Sequence, residues 1–228
     1  MAFEKRQILG EVTGTLGDVV RRKRYGKIIV SSRPSKYKKS KSKLAVEGRN
    51  SFALSVAFAK TVNSNPELKQ VWQYAKLDGV VAYNRVIKYN KQFIKDGSLT
   101  TDNIITPAGV FLSLTEFVLT ENNILLKINL KEKELKKLLQ TPFHLHTINY
   151  AFNPLSSVKE RFVISGQSSI IEQLPINGIY SIVIKLDKAV KQFISKNKSL
   201  IVYTSASNFR GNKKEVFWTS TVAKQFNF

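Results

Sequence analysis

The chain has 228 residues, with 37 Lys and Arg against 16 Asp and Glu, a formal net charge of +21 and no cysteine. The missing cysteines exclude a disulfide framework, a thiol nucleophile and the usual zinc modules, and leave the redox compartment open. A hydrophobic content of 43%, with 14 Phe, 8 Tyr and 2 Trp, suffices for a packed core in one large or two modest domains.

The N-terminal residues MAFEKRQILGEV lack the apolar stretch of a secretory signal. No run of about 18 apolar residues suggests a membrane span. A soluble, non-exported protein without a signal peptide, and no membrane partner, is the expectation.

Gly10, Gly14 and Gly17 precede Val19 and Val20, and Tyr25-Gly26-Lys27 precedes the β-branched run Ile28, Ile29, Val30. Two short strands around a glycine turn are predicted. The glycine spacing matches neither a dinucleotide-binding nor a phosphate-loop pattern, so turn roles are expected. Pro34 ends the ladder, and Ser35 to Lys43 reads as an exposed arm that, at roughly 3.3 Å per residue, reaches about 30 Å.

Residues 44–63 carry apolar side chains at helical recurrence, with Phe52, Val56 and Ala59 on one side and Leu54 and Phe58 close by. Asn65-Pro66-Glu67 supplies a cap, a first-turn proline and an early carboxylate, which start a second helix through Leu68, Val71, Trp72 and Ala75. Gly79 breaks it. A third helix is predicted on Tyr83, Val86, Ile87 and Asn90.

Beyond Gly97 strands are expected at 110–119, 124–129, 143–152, 161–165, 179–185, 200–205 and 215–221, separated by Asn and Gly turn signals. Two short helices interrupt them, one with Glu132 and Lys136 as an i,i+4 pair and one capped by Asp187. The fold class is therefore α+β. It comprises a basic β-hairpin and arm (1–43), a segment of two or three helices (44–97) and an antiparallel β-sheet or β-sandwich domain (98–228).

Residues 19–43 hold eleven basic and no acidic residues. Cations on such a segment neutralise phosphates and release counterions, which makes nucleic acid the first partner expected, ahead of the acidic surface of a neighbouring protein subunit. The candidate polyanion-binding residues are Arg21, Arg22, Lys23, Arg24, Lys27, Arg33, Lys36, Lys38, Lys39, Lys41 and Lys43. Tyr25 and Tyr37 are candidates for stacking on bases.

Signals for chemistry are weak. His144 and His146 alternate on one strand face, but no third metal ligand is near, and two histidines on the polar face of a half-buried strand are expected. No Gly-x-Ser-x-Gly elbow frames a nucleophile, and the carboxylates are scattered beside lysines. Trp72 with Tyr74, and Trp218 near Phe217, are read as core. No enzyme activity, metal or cofactor is expected.

The pattern Gly10-x-x-x-Gly14-x-x-Gly17-x-Val19-Val20, then Gly26-Lys27 and Val30-Ser31-Ser32-Arg33-Pro34, continues into Arg49-x-x-Phe52-Ala53 and Ala82-Tyr83-Asn84. Over residues 8–95 it resembles a family of basic proteins of Bacteroidota and their phages that has no known activity. The family usually starts its first helix with Gln or Thr, where this chain has Lys41-Ser42-Lys43-Leu44. The resemblance implies no catalytic residue or cofactor, and it implies a bacterial or viral source. The expected function is a non-enzymatic structural subunit of a larger assembly, such as a capsid- or tail-associated virion component. The rivals are a free-standing cellular nucleic-acid-binding protein and a carbohydrate-binding β-sandwich.

Overall fold

The computed structural model describes residues 2–3, 13–33, 39–120, 123–129, 142–153, 162–172, 179–195, 199–210 and 215–227. The chain divides into two compact units, residues 1–46 and 47–228.

The first unit is a four-stranded antiparallel sheet of β1 (Ala2–Phe3), β2 (Gly14–Leu16), β3 (Val19–Arg24) and β4 (Lys27–Ser32), in the order β1-β4-β3-β2. The expected pair of strands is thus part of a meander with a short fourth member. Gly17 opens the β2–β3 turn with φ 58°, and Tyr25 and Gly26 close β3 onto β4 with φ 51° and 75°. Positive φ at both central residues is the primed turn whose twist matches that of the flanking strands. The segment 34–38 and the predicted helix around Glu132 and Lys136 lie outside the described residues.

The second unit begins within α1 (Lys43–Ser64) and continues through α2 (Pro66–Tyr74) and α3 (Ala82–Asn90). Asn65 caps α2 as predicted, its side chain accepting from the Leu68 N–H at 2.8 Å, with Pro66 in the first turn. The buried residues of α1 are Leu54, Ser55, Phe58, Ala59 and Val62, whereas Phe52 is 53% exposed. Of the Phe52-Val56-Ala59 line, Ala59 is therefore in the core beside Leu54 and Phe58, Val56 is half-buried and Phe52 faces outward.

That sheet consists of β7 (Phe143–Phe152), β8 (Phe162–Ile171), β10 (Ser199–Arg210), β11 (Glu215–Trp218) and β12 (Val222–Asn227), with the path β11-β10-β7-β8 and β12 also on β10. A second sheet, β5 (Leu114–Leu119), β6 (Asn123–Asn129) and β9 (Ile179–Lys185), is ordered β5-β6-β9. Both sheets are antiparallel. Alternation along the central strands separates two cores. Ile148, Tyr150, Ile201 and Tyr203 pack with Leu54, Phe58 and Trp72 of the helices. Phe143, Leu145, Leu200 and Val202 pack with Ile124, Leu126 and Ile182 of the smaller sheet and with Val190 of α4 (Lys188–Ile194). Covered on both sides, β7 and β10 are buried almost throughout. Each large side chain fully buried here contributes roughly 1.5–3 kcal/mol.

The predicted strand 215–221 stops at Trp218, and a separate strand begins beyond it at Val222. Between them, at Thr219–Thr221, hydroxyls hold the loop that follows Leu99. Thr221 Oγ1 accepts from the Ile105 and Thr106 N–H groups at 2.9 and 3.0 Å, and Ser220 Oγ accepts from Gly109 N–H at 2.8 Å. Among the described residues no helix is long and apolar enough to cross a membrane.

Candidate polyanion surface and a buried histidine bridge

In the first unit, strand alternation decides which cations share a face. The register pairs Arg22 with Ile29 and Arg24 with Lys27, so Arg22, Arg24 and Lys27 lie on one face of the β3–β4 hairpin, while Lys23 falls on the other opposite Ile28. All four are exposed, as are Arg33, Lys39, Lys41 and Lys43. Arg21 differs: it is 6% exposed, opposite Val30, which takes it out of the accessible set. Lys36, Lys38 and Tyr37 lie outside the described residues. Tyr25 stands at the hairpin tip, 56% exposed, between Arg24 and Lys27. A left-handed conformation costs a non-glycine residue on the order of 1 kcal/mol, and glycine or asparagine would occupy the position more cheaply.

In the second unit the two histidines do share a strand face, their rings 6.1 Å apart and 5° from parallel. His144 is half-buried as expected, whereas the setting of His146 corrects the expectation of a half-buried strand's polar face. His146 is completely buried. Its Nδ1 lies 2.6 Å from Ser168 Oγ on β8 and its Nε2 lies 2.7 Å from Ser207 Oγ on β10. The Asn65 side-chain amide, at the start of α2, donates to the same Ser168 oxygen. An amide N–H can only donate, so Ser168 Oγ accepts from Asn65, and the tautomer with the ring proton on Nε2 lets the Ser168 hydroxyl donate to Nδ1 while Nε2–H donates to Ser207.

Burial lowers the His146 pKa from 6.5 to about 3, with His144 adding a smaller push in the same direction. Held that low, the imidazole is neutral at pH 7, and its hydrogen bonds tie three strands and a helix start together. Neither serine was legible as a partner, since they stand 22 and 61 residues from His146 and carry no motif. Beside the bridge is a cleft of about 290 Å³ lined by Thr61, Ser64, Asn65, Gln167 and Ser168, with no charged group among its lining residues. Among the described residues no cluster of three or more His, Cys, Asp or Glu is placed to hold a metal ion.

Trp72 is fully buried, its indole N–H donating to the Ile105 carbonyl at 2.8 Å, in keeping with a core role. Tyr74 is 45% exposed. Trp218 is half-buried and donates to the Ala108 carbonyl, while Arg210 lies 4.7 Å over the neighbouring Phe217 ring.

No protein-family model and no curated protein matches the chain. Among solved structures it is similar to the crystal structure of S. aureus TarS, at 12% identity and a TM-score of 0.26, over 75% of this chain and 31% of that one. The chain thus spans under a third of that structure, and an overlap this loose carries no weight for fold or chemistry.

Proposed function

We propose that the protein is a non-enzymatic structural subunit of a larger assembly, with the first unit as its polyanion contact. Nucleic acid is the favoured ligand, and the acidic face of a neighbouring subunit is the other polyanion this chemistry fits. A phage virion, with the protein associated with capsid or tail, is the setting that the sequence resemblance favours. The observation that supports this reading most is the hairpin tip, where Arg22, Arg24 and Lys27 share one face and an exposed Tyr25 is kept in a left-handed turn position. A residue placed against its backbone preference points to a role at that spot, and an aromatic ring flanked by cations is suited to stacking on a base beside phosphates.

Binding of a generic DNA fragment across a salt series tests this. Each phosphate contact contributes about 0.9 to the slope of log affinity against log salt. Replacing Arg22, Arg24 and Lys27 together by alanine is expected to reduce the slope by roughly 2 to 3 and to weaken binding at low salt. Tyr25→Gly should weaken single-strand binding while leaving the hairpin intact. An affinity that does not change between low and high salt overturns the proposal.

A further inference from the structure

Strand β8 ends the path β11-β10-β7-β8, and among the described residues nothing pairs with its outer edge. Edges of this kind are normally protected by charges, prolines, bulges or shortness. Here the strand is ten residues long and runs in unbroken register along β7 from Phe162 to Ile171. Its sequence, FVISGQSSII, has no charged residue and no proline, in a chain with 37 Lys and Arg to place. Ile170, near its end, is 59% exposed.

The order of residues along the strand says what fits there. Read outward from Gln167, beyond the unlike pair Gly166 and Ser168, similar chemistry recurs in both directions: Ser165 answers Ser169, Ile164 answers Ile170 and Val163 answers Ile171. Two antiparallel copies related by a twofold axis normal to the sheet pair residues of equal parity, with like faces continuous. About Gln167 such a pairing sets Ile164 against Ile170 twice on the helix-covered face, and Val163 against Ile171 twice on the other. β-Branched pairs directly across strands are the favourable kind, and an isologous contact requires this self-complementarity. The uncharged edge adds no local repulsion to the general opposition between two chains of +21, and an acidic partner gains nothing from a strand without cations.

We infer that β8 is a homodimerisation edge: two copies join antiparallel about Gln167 into one sheet extended across both chains. The exposed Ile170 then packs on the Ile164 of its mate. The inference does not rest on the polyanion reading.

Sedimentation of the full chain over about 1–100 μM, at high salt and free of nucleic acid, should show a monomer–dimer equilibrium. Gln167→Lys puts two like charges directly opposite one another on the axis and should weaken the dimer about tenfold or more. Gln167→Glu should do the same, and mixing the two variants should restore association as a one-to-one heterodimer. Hydrogen exchange on the unmodified protein, which needs no variant, should show outer-edge amides of β8 gaining protection as concentration rises. A wild-type chain that stays monomeric throughout, or dimers indifferent to both substitutions, overturns the inference.

Discussion

Lowering the pH from 7 to 4.5 sets the fold against the basicity of His146. In the unfolded chain this imidazole takes a proton near pH 6.5, while in the folded protein burial and the neighbouring His144 hold its pKa at about 3. The folded pKa lies below the unfolded one, so between these values the unfolded chain binds more protons than the native state, and stability falls as pH falls through that window. Above pH 6.5 both states are neutral and the residue adds no pH dependence. At pH 4.5, about two units below the unfolded value, the loss from this group is about 3 kcal/mol. That is a large part of the stability of an ordinary domain. Urea denaturation of the wild type and of His146→Gln at both pH values isolates the effect, since carboxylates titrate in both proteins and cancel in the difference. The wild type should lose about 3 kcal/mol more than the variant. Equal losses would refute the buried neutral imidazole and the bridge built on it.

Two further substitutions of asparagine by leucine should move stability in opposite directions. Asn90 is buried and fully used: its Nδ2 donates to the Val86 and Ile104 carbonyls, and its Oδ1 accepts from the Ile104 N–H and from Asn103. Asn90→Leu strands these partners and should cost about 3 kcal/mol or more by urea denaturation, and a cost below about 1 kcal/mol would contradict the network. Asn149 faces the smaller sheet from the middle of β7, completely buried, with both amide atoms lacking a hydrogen-bond partner among the described residues. Asn149→Leu removes those atoms at similar volume and should raise the midpoint by the equivalent of about 1 kcal/mol, whereas a clear loss of stability would show that the amide is satisfied.

Features set by near neighbours were readable from the sequence. The start of α2 follows from Asn65-Pro66-Glu67 and the start of α4 from Asp187, whose side chain accepts from the Ala189 N–H at 2.7 Å. Cap chemistry acts over three or four residues, so no tertiary information is needed. The ends of β7 were legible because β-branched and aromatic residues run through it without a breaker. The reading failed where a distant partner decides. Residues 215–221 alternate like one strand, but the Thr221 hydroxyl accepts from the Ile105 and Thr106 N–H groups and the Thr106 hydroxyl donates to the Thr219 carbonyl, contacts across more than a hundred residues, and the ladder breaks there. Phe52 has the apolarity of a core residue, and the helix turns it outward because the sheet lies under Leu54 and Phe58.

By itself the sequence determined the concentration of charge in residues 19–43, the helical and β-rich succession and the turn glycines, all consequences of local preference and charge count. The tertiary structure decided which cations share a face, because a strand divides its residues by parity and so groups Arg22, Arg24 and Lys27 while Arg21 is buried. It also decided that His146 is a neutral bridge, since three strands and a helix start must meet before burial can lower its pKa. Likewise the palindromic chemistry about Gln167 is present in the sequence, yet it gains meaning only because the fold leaves β8 at the rim of its sheet.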